Sequence, residues 1–128
     1  MSKKIISTQN APQAIGPYSQ AINIRGITFT SGQIPLVPET GNLISENFEE
    51  QAIQTLKNIK NIILARDRSI DDIIKLTVYL VDLSNFESLN NIFKDFFINT
   101  YPARSVIEVS KLPKNSQIEI EAIFCDED

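Results

Sequence analysis

The spacing of hydrophobic positions along this chain switches between two and about 3.6, and the switches predict its elements. Residues 3–6 read as a short first strand, and residues 10–17, with Pro12, Gly16 and Pro17, as a loop. Alternating runs at 19–24 and 27–31, separated by Arg25-Gly26, predict a hairpin. Residues 32–42 hold Pro35, Pro38 and Gly41 and read as irregular. Asn47, with Glu50 three residues later and acidic residues in the first turn, predicts a helix start. Phe48, Ala52, Leu56, Ile59 and Ile63 follow at helical spacing, and the helix is expected to end near Arg66-Asp67.

Residues 74–81 form the strongest strand pattern. Ile74, Leu76, Val78 and Leu80 fall on one face, and Lys75, Thr77, Tyr79 and Val81 on the other. Ser84 and Glu87 read as a capping box for a second helix, which presents Phe86, Leu89, Asn90, Phe93 and Phe97 on one side before Pro102 stops it. Strands at 105–109 and 117–124 follow, joined through Leu112-Pro113-Lys114-Asn115. No internal repeat or low-complexity segment interrupts the pattern. The order strands, helix, strand, helix, strands predicts one α+β domain over residues 1–128, with two amphipathic helices on one face of a mixed sheet. The other face is expected to carry Thr28, Thr30, Thr77, Tyr79, Val81 and Ile123. That set is too apolar to stay wet, which points to an oligomer.

Composition narrows the chemistry. At 128 residues, 42% hydrophobic and 22% charged, the chain reads as an ordinary globular domain. A net charge of -4 and a pI of about 4.8 speak against a phosphate-backbone partner, so nucleic acid is not expected. The one cysteine, Cys125, reads as a small apolar residue ending a strand and fits a reducing, cytoplasmic setting. The start, Met1-Ser2-Lys3-Lys4-Ile5-Ile6, turns polar at Ser7 and lacks a signal-peptide core. No stretch reaches the length of a membrane span, so no membrane partner is expected. The chain has no histidine, which removes Ser-His-Asp and Cys-His catalysis and histidine-based zinc sites. Nucleotide-binding glycine motifs are missing too, so neither metal nor cofactor is expected. Catalysis is left to carboxylates, arginine, tyrosine, hydroxyls and backbone groups.

The candidates follow from that restriction. Arg104, where a loop enters a strand, can grip a carboxylate with two parallel hydrogen bonds, or sit in a surface ion pair. Strand alternation places Glu119 and Glu121 on one face; in a partly dry cleft one of them can act as a general base, and otherwise both face solvent. Asn90 interrupts an apolar stripe and reads as a ligand contact or a core amide. Tyr18 follows the rigid Gly16-Pro17 turn, and Gly32, after Ser31, allows close approach to the backbone. Each also has an ordinary packing or turn role.

Together these residues resemble a known family. Ile15-Gly16-Pro17-Tyr18-Ser19-Gln20, Thr30-Ser31-Gly32-Gln33-Ile34-Pro35, Pro102-Ala103-Arg104-Ser105 and Ile118-Glu119-Ile120-Glu121-Ala122, in that order, are similar to the Rid (YjgF/UK114) family, RidA branch, the 2-iminobutanoate/2-iminopropanoate deaminases. The similarity spans about residues 3–124. It implies a chorismate-mutase-like fold and a homotrimer with active sites in clefts between subunits. By this resemblance Arg104 binds the substrate carboxylate and Glu119 activates the hydrolytic water. Tyr18, Ser31, Gly32 and Asn90 line the pocket, with backbone groups near Gly32 and Val106 holding the substrate. Val106 replaces a cysteine common in the family, Asp67 replaces a glycine that often ends the first helix, and the loop at 98–101 is shorter than in some members. The implied reaction is cofactor-free hydrolysis of a 2-imino acid to a 2-keto acid and ammonia. A non-catalytic or regulatory binder of small carboxylates is the alternative within the same fold. Ribonuclease or translation-inhibitor activity is disfavoured by the acidic pI and missing histidine, and nothing in the chain signals a holdase.

Overall fold

The early alternation becomes three antiparallel strands, β1 (Lys4–Ile6), β2 (Ala21–Ile24) and β3 (Ile27–Thr30). The computed structural model describes residues 2–127, so Met1 and Asp128, at the two ends of the expected domain, lie outside the described residues. Between β2 and β3, Arg25 (φ 52) and Gly26 (φ 77) both take the left-handed region. A two-residue hairpin turn with that pair of angles matches the twist of its strands, and Gly26 adopts it at little cost. The remaining elements are α1 (Phe48–Leu64), β4 (Ile73–Leu80), α2 (Phe86–Phe96), β5 (Ala103–Glu108) and β6 (Ile118–Cys125). The strand order is β1-β2-β3-β6-β4-β5, with only β4 and β5 parallel. α2 supplies the crossover that a parallel pair requires. Both helices pack on one face of this mixed sheet, as the pattern predicts.

α1 starts where expected: the Asn47 side chain accepts from the Glu50 N–H at 2.9 Å. The Asn47 N–H is taken by Ser45 Oγ at 3.1 Å. Asp67 ends the helix with φ 57, and the Arg68 N–H reaches back to the Ile63 carbonyl at 3.2 Å. This is the left-handed stop that a glycine usually provides, and an aspartate can adopt it. Phe48, Ala52, Leu56, Ile59 and Ile63 are buried as their spacing predicts, joined by Ile62. Gln51, Gln54, Thr55 and Asn58 are buried as well, which a stripe of apolar residues does not foretell.

Three expectations fail on register or capping. Ile74 is 47% exposed, and Ile73 is the residue facing the core. A bulge between Ile73 and Lys75 shifts the β4–β6 pairing and flips the alternation there. Thr28 and Thr30 do not lie on the uncovered face. Thr28 pairs with Phe124 and is fully buried under the helices, whereas Phe29 pairs with Ile123 and is 46% exposed. Directly paired residues share a face, so Ile27 and Phe29 supply the apolar part of the open side. Val81 lies just past β4, where its N–H still donates to the Gln117 carbonyl at 3.3 Å. The Ser84–Glu87 capping box is absent. Asp82 instead caps a single 3-10 turn over Leu83–Asn85 by accepting from the Ser84 N–H at 2.9 Å, and α2 continues from that turn. Cys125 ends β6 as read, with its side chain exposed.

Candidate active site

Glu119 lies early in β6, on the open face together with Glu121. Beside it, Gln33 bridges Ile120 through Gln33 N–H to Ile120 O at 2.8 Å and Ile120 N–H to Gln33 O at 3.0 Å. This pair of bonds brings Gly32 against the Glu119 carboxylate. A Cβ built on Gly32 would stand 2.8 Å from Glu119 Cδ, so only glycine lets the two meet. Ser31 is fixed by its N–H to Gln20 O at 2.8 Å and its hydroxyl to Ser19 O at 2.6 Å. The Gln20 side chain is buried and ties back to Thr8 and Pro12, steadying the loop that carries Tyr18, which is 52% exposed. From below, Asn58 of α1 donates to the carbonyls of Ile34 and Leu36 at 3.3 and 2.9 Å and is itself held by Gln54. These buried amides therefore anchor the irregular segment that forms the cleft floor. Tyr18, Ser31, Gly32 and Glu119 line one cleft of about 730 Å³, whose rim includes Glu39 and Lys114.

Burial raises the Glu119 carboxyl above its ordinary range, and the neighbouring Glu121 charge raises it further. Among the described residues no cation offsets this. Tyr79, directly across from Glu119 in the register, donates its hydroxyl to Glu121 Oε1 at 2.7 Å.

Arg104 occupies a second site. It pairs with Leu76, a core-facing residue, so its side chain leaves the edge strand β5 on the helix side of the sheet. There Nη1 donates to Asn90 Oδ1 at 2.8 Å, and the guanidinium lies 5.3 and 5.1 Å from the ring centres of Phe86 and Phe93. Phe86 is 40% exposed and lies outside the core cluster, with the arginine against its ring. Burial draws the Arg104 guanidinium below its ordinary pKa, yet it stays charged. Among the described residues it has no carboxylate partner, so the surface ion pair is not formed. Arg104 and Asn90 line a pocket of about 370 Å³ with Tyr101 and Lys94. Val106 lines neither cleft with its side chain, which packs against the core. The Val109 N–H donates inward to Leu80 O at 2.8 Å, so alternation turns the Val106 N–H to the free edge of β5.

The expected site residues thus form two groups, Tyr18, Ser31, Gly32 and Glu119 on one side and Asn90, Arg104 and Val106 on the other. Within one chain they do not converge. The sequence reading missed Phe86 and Phe93 as the walls of the arginine site, and Gln20, Gln33, Gln54 and Asn58 as loop anchors. The available signal was the row Gln51, Gln54, Thr55, Asn58 at helical spacing beside the apolar stripe. Among the described residues no cluster of acidic or cysteine side chains fits a metal, and no helix is long and apolar enough to cross a membrane.

Comparison with known proteins bears on the family and the fold. The chain is 46% identical over 123 residues to the 2-iminobutanoate/2-iminopropanoate deaminase of Salmonella typhimurium, covering 94% of this chain and 95% of that protein. Among solved structures, YyfA of Yersinia pestis, a Rid-family protein of unknown function, is 46% identical with a TM-score of 0.94, covering 97% and 99% of the two chains. TdcF of Escherichia coli, with bound serine, is also 46% identical, with a TM-score of 0.92 and the same coverage. The model of the endoribonuclease L-PSP family matches residues 8–125, which include every candidate site residue. With four motifs, the mixed sheet and these full-length relatives in agreement, the chain belongs to the endoribonuclease L-PSP family, the Rid (YjgF) proteins.

Proposed function

We propose that this protein is a cytoplasmic deaminase that hydrolyses 2-imino acids to 2-keto acids and ammonia. Relatives at nearly half identity carry the name of that activity, and the TdcF structure with serine indicates that this fold accepts a small α-amino carboxylate. The observation that carries the reading is a pair of groups unneutralised among the described residues: an aromatic-walled Arg104 without an acid, and a desolvated Glu119 without a cation.

Arg104 holds the substrate carboxylate with its guanidinium fork, which orients the C=N carbon. Glu119 removes a proton from water as the oxygen bonds to that carbon. The C=N π electrons move to nitrogen, giving a tetrahedral carbinolamine. Glu119 returns that proton to nitrogen and then carries the carbinolamine hydroxyl proton to the same nitrogen. The C–N bond breaks, its electron pair leaves with ammonia, and the O–H electrons close the C=O bond. Tyr18, Ser31, Gly32 and Asn90 line the substrate, and the Val106 N–H on the strand edge supplies a further donor. These imines already react with water, so an acceleration of about 10³-fold, roughly 4 kcal/mol, suffices. One orienting arginine and one general base can supply it.

Arg104 and Glu119 leave opposite faces of the sheet, so a working site needs two copies of the chain, the arginine pocket of one closing the Glu119 cleft of the next. By family resemblance the assembly is a homotrimer. The test is a coupled assay with threonine dehydratase and threonine, following 2-ketobutanoate while a scavenger competes for the imine. Wild type is expected to accelerate keto-acid formation, and Arg104→Ala and Glu119→Ala to lose about 10³-fold. Co-refolding the two inactive variants is expected to restore about a quarter of the activity, since random mixing leaves that share of shared sites intact. A wild type without effect in this assay points to a carboxylate-binding protein. Inactive mixtures of folded variants would confine the site to one chain.

A further inference from the structure

The open face holds a second acid for which the hydrolysis has no stated use. Glu121 lies two residues beyond Glu119 on the same strand face, roughly 7 Å away along the strand. Tyr79 stands directly across from Glu119, yet its hydroxyl reaches diagonally to Glu121 at 2.7 Å. A phenol has one proton to donate. With that proton committed to Glu121, Tyr79 gives Glu119 no hydrogen bond, and Glu119 instead lies against Gly32 at the cleft.

We propose that Glu121, tethered by Tyr79, is a positioning residue for Glu119: it occupies the phenolic donor that stands across the strand pair and fixes a like charge that turns the Glu119 carboxylate toward the Gly32 cleft. The inference rests on the deaminase reading for its use but not for its test. The hydrogen bond to Glu121 also keeps the Tyr79 phenol protonated well above neutrality, so the tether persists across the working range. The remaining charged or titratable groups on this side are few. Lys75 lies further along β4, Cys125 ends β6 on the same face, and Tyr18, Glu39 and Lys114 line the cleft. Lys114 is engaged with the Gly41 carbonyl at 3.2 Å. None of these is the source of the Glu119 shift, whose causes are burial and Glu121.

The experiment follows the side-chain carboxyl of Glu119 by carbon-detected NMR titration in the assembled protein, alongside the pH profile of kcat/KM. In Glu121→Gln the repelling charge is gone and the Tyr79 hydroxyl is released toward Glu119. The Glu119 midpoint is expected to fall by roughly half to one pH unit, and the acidic limb of the rate profile to move down with it. Tyr79→Phe, which keeps the charge and cuts the tether, is expected to lower the midpoint by less. It carries the test if Glu121→Gln does not fold. A Glu119 midpoint unchanged in the folded variants would overturn the proposal. Because the titration needs no turnover, an inactive wild type would defeat the deaminase reading while leaving this one standing or falling on its own result.

Discussion

Asp126, just past the end of β6, and Glu119, near its start, are both acids in partly dry surroundings, and the chain treats them in opposite ways. Asp126 is 2% exposed and saturated with donors: Arg66 Nε at 2.8 Å, Thr28 Oγ1 at 2.6 Å and Asn23 Nδ2 at 3.0 Å on one oxygen, Arg68 Nε at 3.2 Å on the other. Burial pushes its carboxyl up, but the hydrogen bonds from Arg66, Thr28 and Arg68 outweigh that and hold it below the ordinary range. The cluster ties the last strand to the end of α1 and to the β2–β3 hairpin. Glu119 has a like charge as its neighbour, no cation offsetting it among the described residues, and a glycine where a side chain would otherwise screen it. A paired buried acid contributes to stability, whereas an unpaired one costs stability and keeps its affinity for a proton. The contrast is what singles out Glu119 as the acid of the proposed site.

The comparison breaks most visibly at Asp126. Asp126→Ala leaves Arg66 and Arg68 facing a buried gap and is expected to cost about 3 kcal/mol, read as a lowered urea midpoint at fixed protein concentration. Deaminase activity at a temperature where the variant is folded should match wild type. A loss under about 1 kcal/mol would mean that the cluster is ornamental. The next effect lies at Gly32. Gly32→Ala places a methyl on the Glu119 carboxylate, the mobile end of a side chain, so the acid moves and the backbone does not. Activity is expected to fall about tenfold or more with little change in melting temperature. Unaltered turnover would remove the Gly32–Glu119 contact from the site.

The smallest effect sharpens the comparison through pH. Asp126 has a depressed folded pKa, so its stabilisation is present above the ordinary carboxylate pKa and is lost as pH falls through the folded value. Glu119 has a raised folded pKa, so its ionisation weakens the fold as pH rises from the ordinary value through the folded one. Glu119→Gln is therefore expected to stabilise the protein near neutrality by under about 1 kcal/mol, because solvent screens the half-buried group. The gain should vanish in acid, where Glu119 is already protonated. A destabilised Glu119→Gln at neutral pH would contradict the unpaired reading of this acid.

Much of this was legible locally. Alternation alone places Glu119 and Glu121 on one side of a strand. The Asn47 cap, the Arg25-Gly26 turn and the α1 stripe are short-range patterns, and all four appear in the fold. Ile74 and Thr28 misled because a bulge and a pairing with β6, nearly a hundred residues from Thr28, decide their faces. Ser84 and Glu87 misled because Asp82 competes for the same backbone donors. By itself the sequence determined the order of elements, the two helices on one side, and the short list of residue types left as candidates for gripping a carboxylate or activating water. These follow from side-chain period and chemistry, which each segment carries alone. Only the tertiary structure decided that Asp126 is buried among two arginines, that the helix amides hold the cleft loop, and that Arg104 and Glu119 leave opposite faces of one sheet. Those outcomes depend on strand order and register, which are set by pairings between distant segments and written in no local repeat.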